Sequence, residues 1–390
     1  MNRFTNTLKK NTMLIALAVV VVLFQVLIVS GGKGSLFEPS NITNIINQNS
    51  YVVILACGML LCILTGGNID LSVGSTVALV GALAGTLIVN MKVNIFVSIL
   101  LCLLIGVLLG AWQGFWIAYI RIPAFIVTLA GMLTFRGAAL LVLNGLTISP
   151  FPESYTKYFN SYFPATDNAS SVMMVSLMVG LAICLVLIIS QVFSRSQKKR
   201  KAYALDSLPM MLVRLAVTCA VIMIVAYLLG KNKGIPVILV LLAVIVFVYY
   251  YFTERTVPGR YFYAMGGNEK AAKLSGVNTD RVLFGAYTNM GLLAALAALV
   301  CVARFNSAAP SAGTNYEMDA IGACYIGGAS AYGGTGTIGG AVIGAIFMGV
   351  LNNGMSILGV DANWQKVVKG LVLLAAVIFD VLSKRKSRAN

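Results

Sequence analysis

Histidine is absent from this sequence, and charge is scarce: 10% of the 390 residues are Asp, Glu, Lys or Arg. The first absence removes the commonest metal ligand and the side chain best suited to moving protons near neutral pH. No nucleophile is paired with a base in a way that suggests catalysis. The second absence is more telling. A soluble chain carries roughly 25% charged residues because its surface must be wet, so lipid must be the solvent for much of this one. Two motifs are also missing. No G-x-x-x-x-G-K-[ST] run occurs, so the chain does not itself cradle ATP phosphates. None of its seven cysteines forms a CxxC pair; they sit in or beside apolar segments, as small packing residues do.

What is present is apolar: 59% of the residues, with a mean hydropathy of +0.90. Runs of about 18 residues can cross a bilayer as helices. Such runs fall at approximately 13–29, 42–64, 73–90, 95–120, 124–146, 171–193, 212–229, 236–253, 282–303, 338–357 and 364–383. The first follows Arg3, Lys9 and Lys10 but is long for a signal peptide and lacks an A-x-A-like site, which predicts an uncleaved helix.

The net charge of +16 is distributed by side. Placing the N-terminus inside gathers the clusters Arg195–Lys201, Arg255–Arg281 and Lys384–Arg388 in cytoplasmic pieces, the positive-inside asymmetry. The charge then needs no nucleic acid partner. Both basic termini share the cytoplasm, so the number of crossings is even and the glycine-rich stretch 319–335 is expected to cross as well, as broken helix. The expected fold is therefore an all-α polytopic membrane protein of about 10–12 helices, one permease domain over 1–390. It carries an external loop at 148–170, a basic cytoplasmic loop at 194–211 and a long cytoplasmic loop at 254–281.

Two glycine-rich breaks echo each other. Residues 65–74 (TGGNIDLSVG) precede a small-residue helix with Gly81 and Gly85, and residues 327–336 (GGASAYGGTG) precede one with Gly340 and Gly344. Paired interruptions of this kind point to a transport pathway between repeats. Residues 334–339 match GxGxxG formally, but they open a membrane helix rather than a strand-to-helix turn. The four-residue glycine spacings Gly81/Gly85, Gly106/Gly110/Gly114 and Gly336/Gly340/Gly344 predict close helix packing.

Ionisable residues at membrane depth are functional candidates by default. Asp70 has two readings, a cap at a helix start or a pathway residue, and Arg136 is open in the same way between an internal partner and the pathway. Asp319 and Asp361 are expected nearer an interface. Asn68, Ser72, Asn352 and Asn353 complete the pathway candidates.

The 254–281 loop narrows the class. Its residues 256–278 (TVPGRYFYAMGGNEKAAKLSGVN) resemble the cytoplasmic coupling loop of the ribose/xylose-type ABC permeases, a family that also includes the branched-chain amino-acid permeases. Residues 65–75 (TGGNIDLSVGS) and 131–137 (GMLTFRG) are similar to two further signatures of that family. The resemblance runs from about residue 42 to the C-terminus. It implies a separate ATP-hydrolysing subunit docked on Gly259, Arg260, Gly267, Asn268, Glu269, Ala271, Ala272 and Gly276, the small residues seating a short helix in a groove. It also implies an extracytoplasmic sugar-binding protein, a second permease copy, a bacterial inner membrane and no cofactor. A piece around 171–250 exceeds the simple ribose type and resembles the xylose or multiple-sugar permeases. Two rivals remain in view: a branched-chain amino-acid permease, and an ion-coupled secondary transporter, which needs acidic or histidine relays.

Overall fold

The computed structural model describes residues 12–166, 168–200 and 207–389. Helices α1 (Thr12–Ser30) and α2 (Pro39–Leu64) come first, α2 opened by a proline at a position that needs no N–H donor. After a break, α3 (Val73–Gly85) runs into a π turn at Thr86–Asn90. Asn94 then caps α4 (Ile95–Ala118), its side chain accepting from Phe96 N at 2.9 Å. Next come α5 (Ala124–Leu143), the short α6 (Glu153–Asn160), α7 (Ala169–Arg200), α8 (Leu208–Lys231) and α9 (Val237–Arg255). Two-residue strands β1 (Tyr162–Phe163) and β2 (Ile235–Pro236) pair antiparallel and staple the start of α9 to the segment after α6.

Two short helices follow, α10 (Val257–Gly267) and α11 (Glu269–Leu274), each opened by a side-chain cap. Thr256 accepts from Gly259 N and Asn268 from Ala271 N. The chain then enters α12 (Thr279–Phe305), α13 (Tyr316–Ile326), α14 (Ile338–Ile357) and α15 (Ala362–Ala389).

Ten of these helices are long and apolar enough to cross a membrane, so the chain is an all-α, multi-pass membrane protein. They form two layers. The spans in α2, α3, α12 and α14 are 72–78% buried, whereas the other six are 11–33% buried. The inner layer is built on small residues. Gly106 and Gly110 of α4 lie against Gly291 of α12, so closely that a Cβ on any of them would meet the other backbone. In lipid such approach replaces the hydrophobic effect as the source of association. The outer helices α7 and α8 pack chiefly on each other and turn residues such as Val186, Ile189, Val213 and Val217 outward.

One segment differs from expectation. Ser194–Arg200, expected to begin a basic loop, completes α7; Lys and Arg are good helix formers and simply continue it. Residues 201–206 lie outside the described residues. The 319–335 segment falls on α13, an 11-residue helix, and on irregular chain that continues to Thr337. The 364–383 segment lies within α15.

A candidate coupling site against two glycine breaks

The two glycine breaks predicted from sequence meet in space. Gly334 N donates to Leu64 O at 3.1 Å. Gly67 (φ +78°) has no room for a Cβ beside the Ala331 carbonyl, nor Gly333 (φ +81°) beside the backbone of Gly66. Only glycine combines that φ with that approach. The break at 65–72 is held internally. Asp70 is 3% exposed, and one carboxylate oxygen accepts from Ser72 N at 2.8 Å and Ser72 Oγ at 2.7 Å. Ser72 Oγ in turn accepts from Gln113 Nε2 of α4 at 2.6 Å, while Asn68 Nδ2 donates to Thr65 O at 3.2 Å. The carboxylate thus shapes the turn into α3 rather than capping its first residue.

The long loop touches both breaks. Gly266, near the end of α10, lies so close to Leu64 O and Gly334 N that a Cβ would overlap both. Gly259 sits as tightly against the backbone of Phe252 and Thr253, which folds α10 back on the end of α9. On the other flank Arg121, in the turn between α4 and α5, pairs with Glu269 of α11 at 2.6 Å and with Asp280 of α12. Partial burial opposes the Arg121 charge, but the two carboxylates outweigh it and raise its pKa above the ordinary value. The loop is therefore braced at two places, on the breaks and on the α4–α5 turn.

Its outer face is free. Arg260, Gly267, Asn268 and Ala271 are exposed, Glu269 is half-buried in its ion pair, and Ala272 is 5% exposed, seated inward. Gly276 turns the chain at φ +84° with open space around it. Leu274, not singled out from the sequence, ends α11 at 91% exposure. Helical spacing within the segment was its only sequence signal.

The remaining pathway candidates do not join the breaks. Arg136 Nη1 donates to Ala312 O at 2.5 Å and Pro310 O at 3.3 Å, fixing the segment between α12 and α13. Asn352 and Asn353 lie on α14, and the side-chain oxygen of each is buried without a partner. Asp361 is exposed and turns the chain into α15. Asp319, expected nearer an interface, is 1% exposed within the bundle. Tyr51 donates to it at 2.5 Å and Lys369 of α15 pairs with it at 2.9 Å, which explains how α15 carries a lysine inward. Among the described residues no group of His, Cys, Asp or Glu is arranged to hold a metal ion.

Known proteins include several relatives of this chain. The chain is 37% identical over 374 residues to the xylose transport system permease protein of Haemophilus influenzae, covering 96% of each. It is 36% identical over 356 residues to that of Escherichia coli, covering 91% of this chain and 88% of the relative. With the ribose import permease protein of Escherichia coli it shares 35% over 363 residues, 93% of this chain and 92% of the relative. No solved structure matches. A family described as the permease component of the branched-chain amino acid transport system matches residues 41–377, and the chain belongs to that family of transport permeases.

Proposed function

We propose that this chain is the membrane-spanning permease subunit of an ATP-driven importer in a bacterial inner membrane, and that it carries a monosaccharide of the xylose class. The observation that carries the reading is the seat of α10: the loop most exposed to a cytoplasmic partner rests, through Gly266, on both glycine breaks at once. The names of the relatives support the sugar, and the missing P-loop supports a separate ATP-binding subunit.

In this mechanism Leu274 enters a groove on that subunit, with Arg260, Asn268, Glu269 and Ala271 around it, as an amphipathic helix does. Closure of the partner on ATP moves α10 and α11, and the breaks beside Leu64 and Gly334 shift with them. Alternating access between two copies of the chain then exposes the pathway to a sugar-loaded extracytoplasmic binding protein. A neutral sugar needs hydrogen bonds rather than an ion pair, which suits the uncharged Asn68, Ser72, Asn352 and Asn353. A branched-chain amino acid would need a partner for each of its charges.

Two variants test the dock. Leu274→Glu leaves the bundle untouched and is expected to lower retention of the ATP-binding subunit in a pull-down at least tenfold; a 2 kcal/mol anchor corresponds to about that factor or more. Gly276→Trp strains a positive-φ turn and is expected to abolish transport while membrane insertion persists. Normal uptake in both would sink the dock. Uptake of labelled xylose, arabinose, galactose and ribose in cells lacking the chain tests the transport reading itself. Loss of pentose or hexose uptake that tracks ATP supports it, and loss that tracks the proton gradient favours a secondary transporter.

A further inference from the structure

A pocket of about 640 Å³ opens between α9, α10 and α12. It shares Gly276 with the loop described above, but most of its wall lies behind that loop. Its wall is aromatic and aliphatic, with Tyr249, Phe252, Tyr261 and Phe262 prominent, and three polar side chains interrupt that wall: Asn278, Arg281 and Asn289. Arg281, Gly285 and Asn289 follow one another at four-residue steps along one face of α12, from the end beside the α10–α11 loop inward.

We propose that this pocket binds one acyl chain of an anionic phospholipid from the leaflet facing the loop, with the headgroup held at Arg281. Two observations favour that occupant. The pocket is continuous with the outer face of α9, where Val244, Phe247, Val248 and Tyr251 are 51–67% exposed; on a membrane span that face meets lipid. The charge at the mouth is positive and uncommitted, since the Arg281 side chain has no hydrogen bond or ion pair among the described residues, and Arg260, Lys270 and Lys273 stand exposed on the same loop. Anionic lipid enriches a cytoplasmic leaflet and is drawn to such basic pieces.

Position gives the lipid a consequence. Its chain would fill the space between α9 and α12, directly behind α10, so the stiffness of the coupling loop would depend on occupancy.

Gly285 supplies the test, because a Cβ there meets open space and a larger side chain enters the pocket without displacing backbone. The full-length protein, purified in detergent and progressively delipidated, would be weighed by native mass spectrometry after incubation with phosphatidylglycerol or phosphatidylcholine. The wild-type chain is expected to retain phosphatidylglycerol after the bulk lipid is gone. Gly285→Leu is expected to lose it while eluting as the same monodisperse species. Arg281→Gln, which has no packing to lose, is expected to retain both lipids equally, and it decides the matter alone should Gly285→Leu misfold. Unchanged phosphatidylglycerol retention in Arg281→Gln or in folded Gly285→Leu overturns the proposal. So does a Gly285→Cys chain that cross-links to a second copy or to the ATP-binding subunit, since the pocket would then hold protein. Lipid retention is independent of transport, so either result leaves the importer reading to its own experiments.

Discussion

Asp319 and Lys369 show how much one residue's setting can hide. They are 50 positions apart in sequence, and only the aspartate stood out there; in the structure they form an ion pair with the aspartate almost wholly buried. Tyr51, stacked on Tyr316 at 3.8 Å, adds a hydrogen bond. Removing one partner of such a pair strands the other charge. Lys369→Met is therefore expected to cost ~3–5 kcal/mol, read as a fall in thermal stability in detergent. Asp319→Leu combined with Lys369→Met is expected to recover most of it, because an apolar pair of similar volume is often neutral. Equal losses in the single and double variants would mean that the ion pair is not what holds α13 to α15. Asp70 was easier to read. Its position before LSVGS marked a helix start, although the structure gives it Ser72 and, through Ser72, Gln113. Asp70→Ala leaves those donors buried and is expected to cost about 1–3 kcal/mol, measured in the same way. Leu274 lay beyond reach, since exposure on a short helix depends on how the loop is folded back by Gly259.

At the scale of elements, the apolar runs marked the long helices well, because an unbroken run of that length has few other ways to satisfy its backbone in lipid. The breaks were legible for the converse reason: glycine and polar residues interrupted the pattern twice, at 65–74 and 327–336. Their meeting was not legible, nor was the seating of α10 against both, since contacts so far apart in sequence leave no local signature. The same holds for Arg121, whose partners Glu269 and Asp280 lie 148 and 159 positions on. Gly266→Val tests the element directly. The side chain would drive α10 off Leu64 and Gly334, and the variant is expected to keep binding the ATP-binding subunit through Leu274 while losing transport. Undiminished transport in Gly266→Val would show that the seat is not needed. The α7–α8 pair is a contrasting case. It packs chiefly on itself and bares valine and isoleucine outward, so its apolar composition is explained by lipid contact alone.

For the whole molecule, the class followed from scarcity of charge, and the expected orientation rests on where Lys and Arg collect. The branched-chain amino-acid alternative shares the family but not the sugar-type signatures at 65–75 and 256–278. Which sugar is carried was never written in the chain in a readable form, because a neutral polyol asks for hydrogen bonds that any polar residue can supply. The structure narrows the mechanics more than the substrate: two breaks, one coupling loop and a brace at Arg121.

The most direct test of that account is a coupled measurement in proteoliposomes holding the chain, its ATP-binding subunit and the sugar-binding protein. Labelled xylose uptake and ATP hydrolysis would be followed together for the wild type and for Gly266→Val. The account predicts that sugar raises hydrolysis and is imported in proportion to it in the wild type, and that Gly266→Val hydrolyses ATP without importing sugar. Import in the absence of ATP, or import by Gly266→Val at the wild-type ratio of sugar to ATP, would contradict it.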